Sequence, residues 1–187
     1  MSPCDFKALS PDSMAGKDNI GFCIPYTVRV KADKGRGVFA DAPVRKGTLL
    51  WRHMRGQYAV YDERSLKEFL AKLSRSEVVY ELEHLFGLPE FPGNVIRVFD
   101  DGVLINHSRQ PTVALNNGCG DNVVPYNTAP QNVQDVADAL LNDRFALIAT
   151  QDLKDGDELT QDYNIGIEDP MYYDALCEQY GLSEPWL

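Results

Sequence analysis

Apolar positions along this chain change their period as the sequence proceeds. Over residues 26–51 they alternate with polar ones between closely set turns. Residues 26–31 (YTVRVK) alternate as a half-buried strand does, residues 33–37 interrupt with two glycines, and Val38-Phe39-Ala40 resumes the pattern. A further turn over 43–47 leads into Thr48-Leu49-Leu50-Trp51, another strand. The spacing predicts short β segments joined by tight turns rather than a β-α-β unit.

The period then becomes helical. Asp62 stands where an N-cap belongs, ahead of Leu66, Phe69, Leu70 and Leu73 on one face. A second helix is predicted from Ser74 or Ser76, carrying Val79, Leu82, Leu85 and Phe86 and stopping at Gly87. Pro89 and Pro92 mark a linker. Residues 95–99 read as a strand, Asp100-Asp101-Gly102 as a hairpin turn and Val103-Leu104-Ile105 as its continuation. Residues 116–143, rich in Asn, Gly, Pro and Gln, read as an excursion off the sheet with one short helix near 135–141. Residues 145–150 form a strong strand and 153–158 turn it back. The end is helical, with Asp169 as cap, Pro170 at the first helical position and Gly181 just past the stop.

Composition narrows this picture. The 187 residues suffice for one domain with a sizeable core, and 44% hydrophobic with 25% charged residues is ordinary for a soluble protein. No apolar run approaches the roughly 18 residues of a membrane span. The first 22 residues lack a basic region followed by an apolar core and read as a loose tail, so a cytoplasmic or nuclear location is expected. Cys4, Cys23, Cys119 and Cys177 form no C-x-x-C pair, and no histidine lies at zinc-finger spacing. A metal site and a disulfide framework are therefore not expected. The net charge of −10 disfavours direct nucleic-acid binding and favours a basic partner, although solubility alone accounts for it equally well.

Three short segments carry candidate chemistry. Gly35-Arg36-Gly37 reads by itself as a turn that also lets backbone approach a ligand; it lacks the third glycine and the helix of a dinucleotide fingerprint. Asn106-His107-Ser108 ends an apolar stretch and reads alone as a local cap. Ser108 lacks the G-x-S-x-G setting of a serine nucleophile. Tyr163 closes Glu158-Leu159-Thr160-Gln161-Asp162-Tyr163, and alone it reads as a packed tyrosine with a bonded hydroxyl.

In this order and spacing, with the strand at 146–149 leading into the last of them, the segments resemble the signature of SET-domain protein-lysine methyltransferases. The resemblance covers roughly residues 26–163. It implies a mainly β fold with α insertions: small curved sheets, a knot-like threading of the second and third motifs, and a C-terminal helix. It also implies a domain over 23–166 with a helical insert at about 62–92, and a helical segment over 167–187 that completes the site. The implied cofactor is S-adenosylmethionine, held by Arg36 and Gly37 backbone, the Asn106 side chain and the His107 backbone. A substrate lysine of a protein or basic peptide, histone tails being the usual family target, would enter from the opposite face and meet the cofactor at Tyr163, the catalytic residue. Ile165 and Tyr172 are the channel candidates: Ile165 stands two beyond the tyrosine, where the family sets the number of methyls added, and Tyr172 lies on the last helix.

The implied reaction is a direct displacement by the lysine amine on a sulfonium methyl. A free lysine, with a pKa of about 10.4, is mostly protonated at neutral pH, a handicap of roughly 4 to 5 kcal/mol. A channel that desolvates the ammonium lowers that pKa, and alignment supplies further acceleration. The chain also departs from the family. Arg109 and Thr112 replace a frequent cysteine and asparagine around Pro111, Val103 stands where an arginine is frequent, and a family tyrosine has only His53 or Tyr58 nearby. The cysteine-rich flank of many members is missing, which leaves the C-terminal helix with Tyr172, Tyr173, Tyr180 and Trp186 as the substitute. An active methyltransferase and a non-catalytic SET-like interaction module both fit these residues, and transfer to a small molecule is a third outcome.

Overall fold

The computed structural model describes residues 21–31, 35–116 and 130–182. Strands β1 (Tyr26–Lys31) and β2 (Gly35–Ala40) form an antiparallel ribbon. A second sheet sets β9 (Leu147–Ala149) between β3 (Leu49–Trp51) and β8 (Val113–Leu115). A third sets β6 (Asn94–Val98) between β4 (Tyr58–Asp62) and β5 (Leu85–Gly87). The last pairing is parallel and two residues long: β7 (Asn106–His107) against β10 (Thr160–Gln161). The short β segments are those that the alternation and turn spacing predict, and small sheets with helical insertions are the architecture that the family resemblance implies.

Both insert helices begin where their caps predict. Asp62 opens α1 (Glu63–Leu70) and Ser74 opens α2 (Arg75–Leu82), each with a reciprocal capping box. The second helix is shorter than its apolar spacing suggests. Leu85, Phe86 and Gly87 leave the helix and pair with Arg97, Ile96 and Val95, because the sheet edge supplies backbone partners that a longer helix would forgo. The predicted hairpin at 100–105 is also replaced. Asp100 accepts from Gly102 N–H at 2.8 Å and caps a single 3-10 turn over Asp101–Leu104. Its carboxylate also takes the Trp51 indole N–H, which anchors the turn to β3. Helix α3 (Val133–Leu140) opens at Asn132, and α4 (Met171–Tyr180) ends at Gly181 in the left-handed region. Pro170 is the N-cap of α4, one position before its expected place, and Asp169 makes no cap bond; its carboxylate accepts instead from Gly87 N–H at 2.7 Å.

Two apolar clusters hold the fold together. The larger gathers Leu50, Trp51, Phe91, Ile96, Phe145, Leu147 and Leu159 from the strands and the turns that join them. The smaller joins Leu66, Leu70, Val78 and Leu82 of the insert to Tyr173 and Cys177 of α4. The buried Tyr173 hydroxyl donates to the Leu82 and Leu85 carbonyls, so α4 is seated on the insert and on β5. Phe22 is buried and bridges to Trp51; the preceding 20 residues of the expected tail lie outside the described residues, as does most of the 116–143 excursion ahead of α3. Cys23 and Cys177 are free thiols; Cys4 and Cys119 lie outside the described residues. Among the described residues no helix is long and apolar enough to cross a membrane.

Candidate active site

The parallel pairing of β7 and β10 brings the second and third motifs side by side, with Thr160 opposite Asn106 and Gln161 opposite His107. Ser108 N–H donates to Gln161 carbonyl at 2.9 Å and extends the contact. Thr112, at a departure from the family pattern, braces it further: its hydroxyl donates to the Glu158 carbonyl at 2.8 Å and accepts from Thr160 N–H at 2.8 Å. The Ser108 side chain accepts from Gln110 N–H at 3.1 Å, the local turn that its residue type favours.

Beyond β10 the chain turns so that Tyr163 N–H donates to His107 Nδ1 at 3.1 Å. This bond requires an unprotonated Nδ1. The Tyr163 hydroxyl donates to the Ile105 carbonyl, just before β7. Burial pushes the phenol up to about 12, so Tyr163 is a hydrogen-bond donor at neutral pH and no base.

Tyr163 and Ile105 line an apolar cavity of about 90 Å³, with Trp51, His53, Phe86, Leu115, Phe145 and Ile167 among its other walls. His53 is buried and stacks edge-on against Trp51 and Tyr58. Desolvation lowers its pKa to about 3, which keeps the ring neutral, and its Nδ1 has no hydrogen-bond partner among the described residues. Tyr58 closes the neighbouring side by donating to the Ala137 carbonyl of α3 at 2.5 Å.

On the β2 side of Asn106 lies a polar cluster. The Asn106 amide donates to the Arg36 carbonyl at 3.0 Å and to Glu158 Oε1 at 2.9 Å. Glu158 Oε2 pairs with Lys31 Nζ at 2.5 Å. Gly37 lies against this cluster without room for a side chain: a Cβ there would meet Glu158 Oε1 at 2.7 Å and Asn106 Nδ2 at 2.8 Å. Arg36, Gly37, Asn106, His107 and Tyr163 therefore share one neighbourhood. Ile165 and Tyr172 stand apart from the cavity. Ile165 is 68% exposed, and Tyr172 on α4 donates to the Gly93 carbonyl at 3.3 Å. Phe86, Leu115, Ile167, Lys31 and Glu158 were not among the residues that motif reading singles out. Only Glu158 sits inside a motif; Phe86, Leu115 and Lys31 reach the site through sheet register and Ile167 through the turn after Tyr163, neither of which a local pattern reports.

The SET domain family model matches residues 35–164, well over half of the chain. The chain belongs to the SET-domain family. Similar solved structures include the Neurospora SET domain protein DIM-5, a histone lysine methyltransferase, at 20% identity and TM-score 0.49 over 80% of this chain and 55% of that one. KRYPTONITE in complex with mCHG DNA and SAH is similar at 18% identity and TM-score 0.46, over 78% of this chain and 24% of that one. The methyltransferase domain of human histone-lysine N-methyltransferase SETMAR matches at 17% identity and TM-score 0.49, over 76% and 45%. This SET chain thus spans between about a quarter and just over half of the solved chains it resembles. No curated protein sequence matches it.

Proposed function

We propose that this SET protein transfers a methyl group from S-adenosylmethionine to a lysine side chain of a protein or basic peptide, histone tails among them. The observation that carries the reading is the meeting of the Tyr163 hydroxyl with the Ile105 carbonyl at the wall of the apolar cavity, one residue from Asn106 and the polar cluster. The described residues fit the cofactor. Gly37 keeps the backbone bare where a Cβ would collide with Asn106 and Glu158, and Asn106 offers an amide against the Arg36 carbonyl. The Arg36 and Gly37 backbone, the Asn106 side chain and the His107 backbone would hold it. When bound, S-adenosylmethionine supplies an electrophilic methyl.

The rest of the chemistry is the chain's own. A lysine entering the cavity leaves water for an apolar lining, which favours the neutral amine that carries the attacking lone pair. The Ile105 carbonyl is an acceptor at the cavity wall, and the Tyr163 hydroxyl holds it in place by donating to it. In this reading the lysine proton passes to solvent before attack, and neither Tyr163 nor the neutral His53 takes it. The methylated amine then carries the positive charge released from the sulfonium. In this reading residues 23–166 are the catalytic unit, and the segment from 167 onward, seated on the insert through Tyr173, completes it.

The test is incubation of the purified protein with methyl-labelled cofactor and a mixture of basic proteins. Label on a protein lysine, identified by mass spectrometry and lost in Tyr163→Phe, is the expected result. Cofactor binding without transfer to any of them would instead leave the interaction-module reading. Label on a small amine would redirect the substrate class.

A further inference from the structure

In the polar cluster beside Gly37, Lys31, which lies outside the three motifs, is paired with Glu158, the first residue of the last one. Glu158 is nearly enclosed, with a side chain 10% exposed, and it meets two donors: Lys31 Nζ at 2.5 Å and Asn106 Nδ2 at 2.9 Å. A carboxylate this far from water is costly unless paired. Lys31 reaches in from β1 and is 41% exposed, and its ammonium lies 5.5 Å from the centre of the Phe39 ring. The Arg36 carbonyl accepts from the same Asn106 amide at 3.0 Å. One small region therefore holds two acceptors, the Glu158 carboxylate and the Arg36 carbonyl. It also holds two donors, the Lys31 ammonium and the Asn106 amide.

This set is complementary to an α-amino acid zwitterion. We infer that the Lys31–Glu158 ion pair is a placeholder for the methionyl end of the cofactor. On binding, Glu158 and the Arg36 carbonyl take the α-ammonium, while Lys31 and the Asn106 amide take the α-carboxylate. The exchange replaces one internal ion pair with two of the same sign pattern, so neither Lys31 nor Glu158 loses a counter-charge. It also assigns a use to Gly37, since a side chain there would displace Glu158 Oε1. The inference rests on the methyltransferase reading and adds Lys31 and Glu158 to it as binding residues.

Calorimetry with three thioether nucleosides tests it: S-adenosylhomocysteine with both charges, decarboxylated S-adenosylhomocysteine with the ammonium only, and methylthioadenosine with neither. Lys31→Met is expected to weaken S-adenosylhomocysteine by about tenfold or more, leaving the other two within about twofold. Glu158→Gln, which keeps an acceptor for Asn106, is expected to weaken S-adenosylhomocysteine and the decarboxylated compound by a similar factor and to spare methylthioadenosine. Equal loss for all three ligands would mean that the ion pair only braces β1 against the last turn, and it would overturn the assignment. Normal binding of all three by both variants would overturn it too. If the unmutated protein binds none of the three, the methyltransferase reading falls with it; if it binds S-adenosylhomocysteine but the variants show no ligand-dependent pattern, only the zwitterion assignment falls.

Discussion

Tyr163 acts in this site with its proton on. Burial holds the phenol near 12, so on the proposed reaction the group that titrates between pH 6 and 10 is the substrate amine. The rate of methyl transfer to a peptide lysine is therefore expected to climb about tenfold per pH unit and then level off at the lowered lysine pKa. Tyr163→Phe should lower that plateau by roughly a hundredfold or more without moving the inflection, as expected for loss of one preorganised donor. A rate profile whose inflection shifts in the Phe variant would mean that Tyr163 ionises. Asp169 behaves oppositely to a salt-bridged carboxylate. Burial raises it from 3.8 to about 6, with Gly87 N–H opposing the shift. The stability tied to its neutral form is present below pH 4 and lost as the pH rises through 6. Asp169→Asn keeps an oxygen for Gly87 and never ionises. Urea denaturation should find the Asn variant and the parent alike near pH 4, and the Asn variant the more stable at pH 7.

At the level of elements, the brace between β10 and the segment after β7 depends on one hydroxyl. Thr112→Val keeps the shape but leaves Thr160 N–H and the Glu158 carbonyl without that partner. A loss of about 1–3 kcal/mol is expected in urea denaturation, and Thr112→Ser should recover most of it. The sequence shows elements well where local chemistry decides them. Asp62 and Ser74 announce α1 and α2 because each cap bonds within its own first turn. It misleads where a distant partner decides. Leu85 and Phe86 continue the apolar spacing of a helix, yet β6 draws them into a sheet. Asp169 before Pro170 looks like a cap, but its partner is Gly87, from β5. The motif residues were legible because the family pattern names them. The cavity was not, since Phe86, Leu115 and Ile167 converge only after three separate pieces of the fold pack together.

For the molecule as a whole, a charge of −10 would, on the proposed function, set the terms on which a substrate arrives. With a basic peptide, kcat/KM is expected to fall steeply as salt rises from low to physiological strength, where the screening length shortens to about 8 Å. A peptide with its lysine among acidic residues should show the reverse trend or none, and equal salt response for both would remove charge steering from the account. The short parallel contact of β7 with β10 has a consequence for how the protein is made. It is built from residues on either side of α3 and β9, so it cannot form early in synthesis. Until the stretch through Tyr163 has left the ribosome, Asn106 has no strand beside it and the Ile105 carbonyl has no phenol. On the proposed function, a nascent chain cannot hold the cofactor before that point. Ligand added to a cell-free system should protect only chains released past that point from proteolysis.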